Sequence, residues 1–279
     1  MTRLTSDVLG AIRHPVSLYD RELKVKTGAT LSEIAGLATR HPGVLNLSDA
    51  RIAAIPLSTG LGVIPGFSKI VVEILKYLHF KSFVTTNIDV AGIAEALEKD
   101  ANILFIADDI HFLALNLKRR YVVDNDVATA KSYVAALEIA IQGLKGKEVF
   151  IIGLGRIGTI MIEEVIRRHG IPLVYDIKRE RTTYISKRFS HRVRLMKSMS
   201  EGLSSTRFVL NTAPSKNMVT SDMVDENHII YSPAIPHGLT DATVRKLSRN
   251  FFHDPLQLGV ATMAYEAVWG FDRWWSQRF

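Results

Sequence analysis

The sequence predicts an α/β fold with two domains, and three features carry that prediction. Short apolar runs alternate with helical patterns in both halves of the chain, as in sheets that are covered by helices. Between the halves, apolar residues at three- and four-residue spacing predict a connecting helix over 126–144. A glycine-rich turn, Gly153–Gly158, then joins a strand pattern to a helix pattern. We therefore expect an N-terminal α/β domain over 1–125, a second α/β domain over 145–259 and a final helix over 260–279, with a cleft between the two domains.

The composition excludes several classes of protein. The 279 residues are 47% hydrophobic and 23% charged, which is enough for two domains with sizeable cores. The formal charge of +7 suits an anionic cofactor, but no basic stripe with interleaved aromatic residues predicts a nucleic-acid partner. The lack of cysteine excludes disulfides and thiolate catalysis, and no clustered His, Asp or Glu spacing predicts a catalytic metal. No signal-peptide pattern and no apolar run of about 20 residues is present, which predicts a cytoplasmic protein without a membrane partner.

The N-terminal half begins with a helical pattern over Asp7–Ala38 that breaks near Thr27-Gly28. Three strands and two helices are predicted after it, in the order strand Ile52–Leu57, helix Ser68–His79, strand Ser82–Thr86, helix Asp89–Lys99 and strand Ile103–Ile106. The loop Ser58–Gly66 is rich in glycine and follows the first strand. Because loops at the carboxyl ends of parallel strands usually build ligand sites, we expect this loop to contact a ligand.

The C-terminal half predicts six strands. They are Glu148–Ile152, Ile171–Tyr175, Val193–Met196, Arg207–Leu210, His228–Tyr231 and Asn250–His253. Helices are predicted over Ile157–His169 and Asp241–Arg249, and a last helix over Val260–Phe279. Its residues Trp269, Trp274 and Trp275 are expected to pack in the core or at a subunit contact, such as that of a homodimer.

The glycine-rich turn reads Gly153-Leu154-Gly155-Arg156-Ile157-Gly158 and matches the pattern G-x-G-x-x-G of Rossmann domains. In that pattern the first glycine permits a tight turn, the second lets a pyrophosphate approach the backbone, and the third lets helix and strand pack closely. The helix N-terminus then offers free N–H groups to the phosphates. The alternative, a coincidental glycine turn, does not explain why the motif stands between a strand and a helix.

Two further groups of residues belong to this predicted cofactor site. Asp176 ends the next strand, near the offset of about 20 residues at which an acid binds the ribose hydroxyls of NAD. Lys178, Arg179 and Arg181 follow and could favour the extra phosphate of NADP, but the acid at the strand end favours NAD. Small residues after two later strands are expected to leave room for the nicotinamide half; they are Asn211, Thr212, Ala213 and Pro233.

Three motifs outside the glycine turn resemble one family. They are Pro56-Leu57-Ser58-Thr59-Gly60-Leu61-Gly62-Val63-Ile64, Ala107-Asp108-Asp109 with Phe112-Leu113-Ala114 and Asn116, and Asp254-Pro255-Leu256 with Gly259-Val260-Ala261-Thr262. Together with the glycine turn they resemble the final dehydrogenase of pyrrolysine biosynthesis, from about Leu4 to Tyr265. The chain departs from the family in an extended stretch around Ala38–Arg51, in its tryptophan-rich tail, and at Asp254, where the family has a glutamate.

The resemblance implies a substrate and a reaction. The substrate would be a lysine whose side-chain nitrogen is acylated by 3-methyl-D-ornithine. The terminal primary amine of the ornithine part would be oxidised, with hydride passing to NAD. The resulting imine or aldehyde would condense with the neighbouring α-amine, losing water and closing the pyrroline ring. The family fold, an N-terminal α/β domain and a Rossmann domain with a cleft between them, agrees with the division predicted above.

The resemblance also assigns roles to individual residues. Asp108 is predicted to be catalytic, since a carboxylate near the nicotinamide could accept a proton and stabilise an iminium. Like-charge repulsion with Asp109 is expected to raise one pKa of the pair. The alternative is that Asp108 or Asp109 caps a helix beginning near Ile110. The predicted substrate-binding residues are Leu4, Ser58, Thr59, Gly60, Ala107 and Asp254.

Other interpretations stay open at this point. Asn116 could reach the substrate or lie on a helix surface, and His111 and His253, beside the candidate carboxylates, could relay protons or be structural. The competing functions are another two-domain dehydrogenase, acting on amino acids or folates, and a regulatory protein that binds NAD without turnover. A basic nucleic-acid-binding protein is disfavoured because the positive charge is not clustered.

Overall fold

A computed structural model describes residues 15–40 and 49–269 of the chain. The described residues divide into two compact units, one containing 15–21, 30–40, 49–128 and 256–269, the other containing 22–29 and 129–255. Within the described residues, no helix combines the length and the apolar character that a membrane span requires. Some of the predicted features lie outside the described residues. They are Leu4, residues 7–14 of the helix predicted over Asp7–Ala38, and the two tryptophans Trp274 and Trp275.

Unit 1 contains a five-stranded mixed sheet. Its strands are β1 (Arg51–Ile55), β2 (Lys81–Val84), β3 (Ile103–Ala107), β4 (Phe112–Asn116) and β5 (Tyr121–Asp124), in the spatial order β2-β1-β3-β4-β5. The strands β2, β1 and β3 are parallel, whereas β3, β4 and β5 form an antiparallel meander. The predicted strands correspond to the parallel part, and the two antiparallel strands were missed.

The expected helix beginning near Ile110 is wrong, because this segment belongs to the antiparallel part of the sheet. Residues 108–111 form the turn of a hairpin in which Ala107 pairs with Phe112. The strand β4 alternates buried and half-buried side chains, which is the period of a strand with one face on a core. Asn116 therefore lies in a strand, where its buried amide donates to the carbonyl oxygen of Ala267 at 2.8 Å, and not on a helix surface.

Most of the helices follow the predicted positions, but the two over Arg179–Phe189 and Met199–Ser205 are absent from the prediction. The helices are α1 (Val16–Thr27), α2 (Leu31–Thr39), α3 (Phe67–Tyr77), α4 (Asp89–Glu98), α5 (Asn125–Ala140), α6 (Arg156–Arg167), α7 (Arg179–Phe189), α8 (Met199–Ser205), α9 (Asp241–Leu247) and α10 (Gln257–Trp269). The predicted break after Thr27 is confirmed, because Gly28 has a φ of 86° and Thr30 starts α2 with a capping box to Glu33. In unit 1, α10 packs on α2, α3, β4 and β5.

Unit 2 contains a six-stranded sheet in which all the strands are parallel. Its strands are β6 (Glu148–Ile152), β7 (Ile171–Tyr175), β8 (Arg194–Leu195), β9 (Phe208–Asn211), β10 (Ile229–Tyr231) and β11 (Phe251–Phe252), in the order β11-β10-β9-β6-β7-β8. This order is that of a Rossmann fold, so the predicted fold of the C-terminal half is confirmed. The strand order reverses direction between β6 and β9, and the carboxyl ends of these two strands therefore mark the expected ligand crevice.

Candidate functional site

The glycine turn of unit 2 connects β6 to α6 at this reversal point. Gly153 has a φ of 89°, and a Cβ there would lie 2.8 Å from the backbone nitrogen of Ala213. A Cβ on Gly158 would overlap the carbonyl oxygen of Gly153. Both positions therefore admit only glycine without a backbone shift, as the pattern requires.

The second glycine of the turn, Gly155, leaves its backbone uncovered. The atom nearest to the position of a Cβ on Gly155 is Nη1 of Arg181, 3.9 Å away, so the backbone is open to a ligand there. Gly155 is the N-cap of α6 and, as a glycine, makes no side-chain capping bond to this end of the helix. Arg156 is exposed and Ile157 half-buried on the first turn. The positive end of the helix dipole suits the phosphates of a dinucleotide.

Asp176 braces the turn from the end of β7. Its Oδ2 accepts a hydrogen bond from the backbone N–H of Leu154 at 2.7 Å, and its Oδ1 accepts one from the backbone N–H of Lys178 at 2.8 Å. Nη1 of Arg181 lies 3.2 Å from Oδ2. A carboxylate can accept about four hydrogen bonds, so acceptor capacity remains for a ribose hydroxyl. Ile177, which the sequence analysis missed, is 85% exposed beside this acid and could have been noticed as an apolar residue directly after the strand end.

Asn211 and Thr212 use their side chains to tie neighbouring loops together. The amide of Asn211 donates to the carbonyl oxygen of His237 at 2.9 Å, and the hydroxyl of Thr212 donates to that of Gly153 at 2.8 Å. Ala213 follows them, and Pro233 is buried in the loop after β10. The structure thus gathers these predicted cofactor residues at the carboxyl ends of β6, β9 and β10.

A polar cluster stands at the adjoining ends of β10 and β11. Nδ1 of His253 donates to the carbonyl oxygen of Ser232 at 2.7 Å, and the rings of His253 and His237 are 5.3 Å apart. The hydroxyl of Tyr133 donates to the carbonyl oxygen of Asp254 at 2.8 Å and accepts from its N–H at 2.7 Å. Burial raises the pKa of Tyr133, so this hydroxyl stays protonated. Asp254 itself is 3% exposed, which is unusual for a carboxylate.

In unit 1, two carboxylates hold the predicted substrate loop. Asp89 accepts hydrogen bonds from the backbone N–H of Ser58 at 2.7 Å and from its hydroxyl at 2.6 Å. Oδ2 of Asp109 accepts from the N–H of Leu61 at 2.7 Å, and a Cβ on Gly60 would overlap this carboxylate. The hydrogen bonds from Ser58 lower the pKa of Asp89. The hydroxyl of Ser58 is therefore engaged within the loop, a role that the sequence pattern did not reveal.

Asp108 organises the hairpin turn next to this loop. Its Oδ1 accepts hydrogen bonds from the N–H groups of Ile110 at 2.7 Å and His111 at 2.6 Å. The hydrogen bond from the N–H of His111 is the main reason why the pKa of Asp108 is lowered. The rise in pKa expected from repulsion between the two carboxylates is therefore not found at Asp108. Asp108 also lines a shallow depression, together with Thr59, Ala107 and several apolar residues, Pro56, Leu57, Val63 and Phe67.

The sequence of this chain is similar to those of known proteins. Residues 10–123 match the family of the pyrrolysine biosynthesis protein PylD, N-terminal domain. The pyrrolysine synthase of Methanosarcina barkeri is 28% identical over 270 residues, which is 96% of this chain and 98% of that protein. The chain is similar to the pyrrolysine synthases over nearly its whole length. That of Methanosarcina acetivorans is also 28% identical, over 96% of this chain and 100% of the relative, so the resemblance stated from the motifs is confirmed.

Solved structures confirm the fold. Shikimate dehydrogenase from Aquifex aeolicus superposes with a TM-score of 0.51 at 10% identity, covering 81% of this chain and 98% of that one. Quinate dehydrogenase from Corynebacterium glutamicum, solved in complex with NAD, superposes with a TM-score of 0.53 at 11% identity, covering 80% of this chain and 94% of that one. At this level of identity the likeness shows an α/β fold and nothing about function.

Proposed function

We propose that this chain oxidises the terminal primary amine of a lysine acylated on its side-chain nitrogen by 3-methyl-D-ornithine, with NAD as hydride acceptor, as a step towards pyrrolysine. The open backbone at Gly155, at the reversal point of a Rossmann sheet, is the observation that carries the nucleotide part. The substrate part is supported by the pyrrolysine synthases, which align over nearly the whole chain.

The residues of unit 2 favour NAD over NADP. The turn Gly153–Gly158 would hold the diphosphate, and Asp176 would accept hydrogen bonds from the ribose hydroxyls. The carboxylate would repel a phosphate on the same ribose, although the guanidinium of Arg181 at 3.2 Å offsets part of its charge. Ile177 would offer an apolar surface to the adenine. When bound, NAD would accept the hydride from the carbon that carries the amine.

The residues of unit 1 supply negative charge for the amine. Asp108 is 40% exposed on its side chain and ionised at neutral pH, because its lowered pKa favours the carboxylate. It would bind the substrate ammonium and stabilise the cationic iminium that hydride loss produces. Thr59 and Ala107 line the same depression, Ser58 and Gly60 shape the adjacent loop, and in unit 2 Asp254 is proposed to anchor the substrate.

After the oxidation, hydrolysis of the iminium and ring closure complete the reaction on the substrate. Water adds to the iminium and ammonium leaves, which gives an aldehyde. The neighbouring α-amine then attacks the aldehyde carbon, and loss of water closes the five-membered imine ring. The ionised carboxylate of Asp108 would favour the cationic species on this route.

The test is to mix the purified protein with NAD and the lysine–methylornithine conjugate and to follow absorbance in the reduced-nicotinamide band. We expect growth of that band together with the mass of the cyclised product, and slower growth when NADP replaces NAD. Binding of NAD without any reduction would overturn the proposed reaction and support the regulatory alternative. Reduction with other amino acids but not with the conjugate would support a different two-domain dehydrogenase.

A further inference from the structure

The proposed reaction leaves one proton without an acceptor. A substrate ammonium must lose a proton before its carbon can release a hydride, since the nitrogen lone pair drives that loss. Asp108 accepts two backbone hydrogen bonds on Oδ1, and these bonds favour its ionised form. It is therefore suited to stabilising a cation and poorly suited to retaining a proton at neutral pH.

His253 has the geometry of a proton acceptor. It directly follows β11, at the carboxyl edge of the unit 2 sheet where the cofactor residues gather. Nδ1 lies 2.7 Å from the carbonyl oxygen of Ser232, and because a carbonyl can only accept, Nδ1 carries the hydrogen. The neutral ring therefore presents the lone pair of Nε2. A base whose tautomer is set by a fixed acceptor is the usual arrangement of catalytic histidines.

The histidine is also tied to the predicted nicotinamide end of the cofactor site. The ring of His237 is 5.3 Å from that of His253, and the carbonyl oxygen of His237 accepts from the amide of Asn211 at 2.9 Å. The hydroxyl of Ser232, whose carbonyl oxygen orients His253, donates to the carbonyl oxygen of Asn211 at 3.1 Å. One hydrogen-bonded network in unit 2 thus joins Asn211 to both histidines.

Burial keeps both rings neutral near pH 7, because it lowers the pKa of each. Burial lowers the pKa of His253, and Lys26 of α1 adds to this, whereas the carbonyl of Ser232 and the carboxylate of Asp254 act in the opposite direction. Burial and then His253 lower the pKa of His237, against the charge of Asp241. Tyr133, which binds the backbone of Asp254, is protonated.

We propose that His253, oriented by the carbonyl of Ser232, accepts the proton that the substrate ammonium releases before hydride transfer. The N–H bond of the ammonium breaks, its electron pair stays on nitrogen, and the proton goes to Nε2 of His253. The C–H bond of the neighbouring carbon then gives its electron pair and hydrogen to NAD, which leaves an iminium. This role rests on the proposed function.

The position of His253 can be tested without turnover. The Cε1–H resonance of the ring, assigned with His253→Gln, is followed by NMR as NAD or ADP-ribose is added. ADP-ribose lacks the nicotinamide, so we expect NAD to shift this resonance and ADP-ribose to leave it nearly unchanged. Equal responses to the two ligands would place the nicotinamide away from His253 and overturn the proposal.

The role of His253 is tested by the pH dependence of kcat with the conjugate. In the wild type we expect kcat to fall as the pH drops below about 6.5, the ordinary pKa of histidine, because the acceptor becomes protonated. His253→Gln should lower kcat about 100-fold, remove this acidic limb and leave the affinity for NAD unchanged. His253→Ala should regain activity when imidazole is added, which a purely structural role would not allow.

The matched control is His191→Gln, which changes an exposed histidine in the short turn Ser190–Arg192. Its kcat, pH profile and NAD affinity should equal those of the wild type. An unchanged acidic limb in His253→Gln would overturn the assignment of His253. A wild type that leaves the conjugate unoxidised would instead overturn the proposed function, and the NMR comparison would still show whether His253 adjoins the nicotinamide.

Discussion

The candidate site residues of each unit lie at the edge of its sheet where the carboxyl ends of the parallel strands meet. These two edges are held together by different forces. In unit 1, ionised side chains accept backbone N–H groups: Asp89 at Ser58, Asp109 at Leu61, and Asp108 at its own hairpin turn. In unit 2, close backbone packing, at which Gly158 adjoins the carbonyl of Gly153, holds the glycine turn together with one carboxylate, that of Asp176. The first edge therefore presents negative charge, and the second presents the positive end of a helix dipole.

This difference matches the charges of the proposed ligands. A cationic amine is attracted to an edge rich in carboxylates, whereas an anionic diphosphate requires an edge from which carboxylates are kept away or are neutralised. Asp176, the acid at the second edge, is held by two backbone N–H groups and by Arg181. The comparison predicts that substitutions at the unit 2 edge lower stability and NAD binding mainly by disturbing the packing. Substitutions at the unit 1 edge are predicted to lower turnover mainly by removing negative charge.

The largest effect is expected for Gly158→Ala. The new methyl group would overlap the carbonyl of Gly153, so we expect the free energy of unfolding to fall by about 3 kcal/mol or more, with loss of NAD binding. Gly155→Ala is the matched control because the space over Gly155 is open. It should keep the stability and weaken NAD binding about tenfold. Urea unfolding and NAD titration measure the two quantities, and equal stability losses would contradict the packing argument.

Asp108→Asn tests the charge of the first edge. The amide oxygen can still accept from Ile110 and His111, so the hairpin turn should remain, but the negative charge is lost. We expect normal NAD binding and a kcat about 100-fold lower with the conjugate. Asp109→Asn is the control, because its carboxylate binds the loop at Leu61, and it should alter KM more than kcat. Turnover of Asp108→Asn close to that of the wild type would remove Asp108 from the mechanism.

Tyr133→Phe tests the neutral hydrogen bonds of the second edge. The change removes both hydrogen bonds between the hydroxyl and the backbone of Asp254, a residue that is 3% exposed. We expect the free energy of unfolding to fall by about 1–3 kcal/mol. Tyr184→Phe, at a side chain that is 53% exposed, should change it by no more than about 0.5 kcal/mol. Similar values for the two variants would show that the buried hydroxyl is dispensable.

The smallest effect is a pH dependence confined to unit 1. Hydrogen bonds from the backbone of Asn87, from Lys99 and from Thr86 lower the pKa of Glu95 from 4.5 to about 2. A lowered pKa in the folded state stabilises the fold above pH 4.5, and this stabilisation is lost as the pH falls towards 2. Glu95→Gln should flatten the stability curve across this range in urea unfolding. Glu98→Gln, at an exposed residue of the same helix, should leave the curve as in the wild type.

Local sequence patterns determined most of unit 2. The strands β6 and β7 have the predicted bounds, and the glycine turn and Asp176 stand where the motif predicts them. Parallel strands buried on both faces read as short apolar runs, and every strand of unit 2 except β9 is joined to the next by a helix of a different period. The pattern and the fold therefore carry the same information in this part of the chain.

The antiparallel meander of unit 1 and the partners of its carboxylates were decided by the tertiary structure. Whether Asp108 caps a helix or a hairpin depends on whether β3 pairs with β4, and the period of either segment alone does not record that pairing. The link between Asp109 and the loop at Leu61 spans 48 positions of the chain. No periodic pattern records such a contact, because it depends on how distant segments pack.

The same holds for the histidines and the loops of unit 2. The sequence alone singled out His253 as a neighbour of Asp254, but its acceptor, the carbonyl of Ser232, lies 21 positions earlier. His237 reaches it only because β10 and β11 are adjacent strands. The sequence thus determined which residues could carry the chemistry. The packing of the strands decided which of them meet, because hydrogen bonds and charges act over a few ångströms in space and not along the chain.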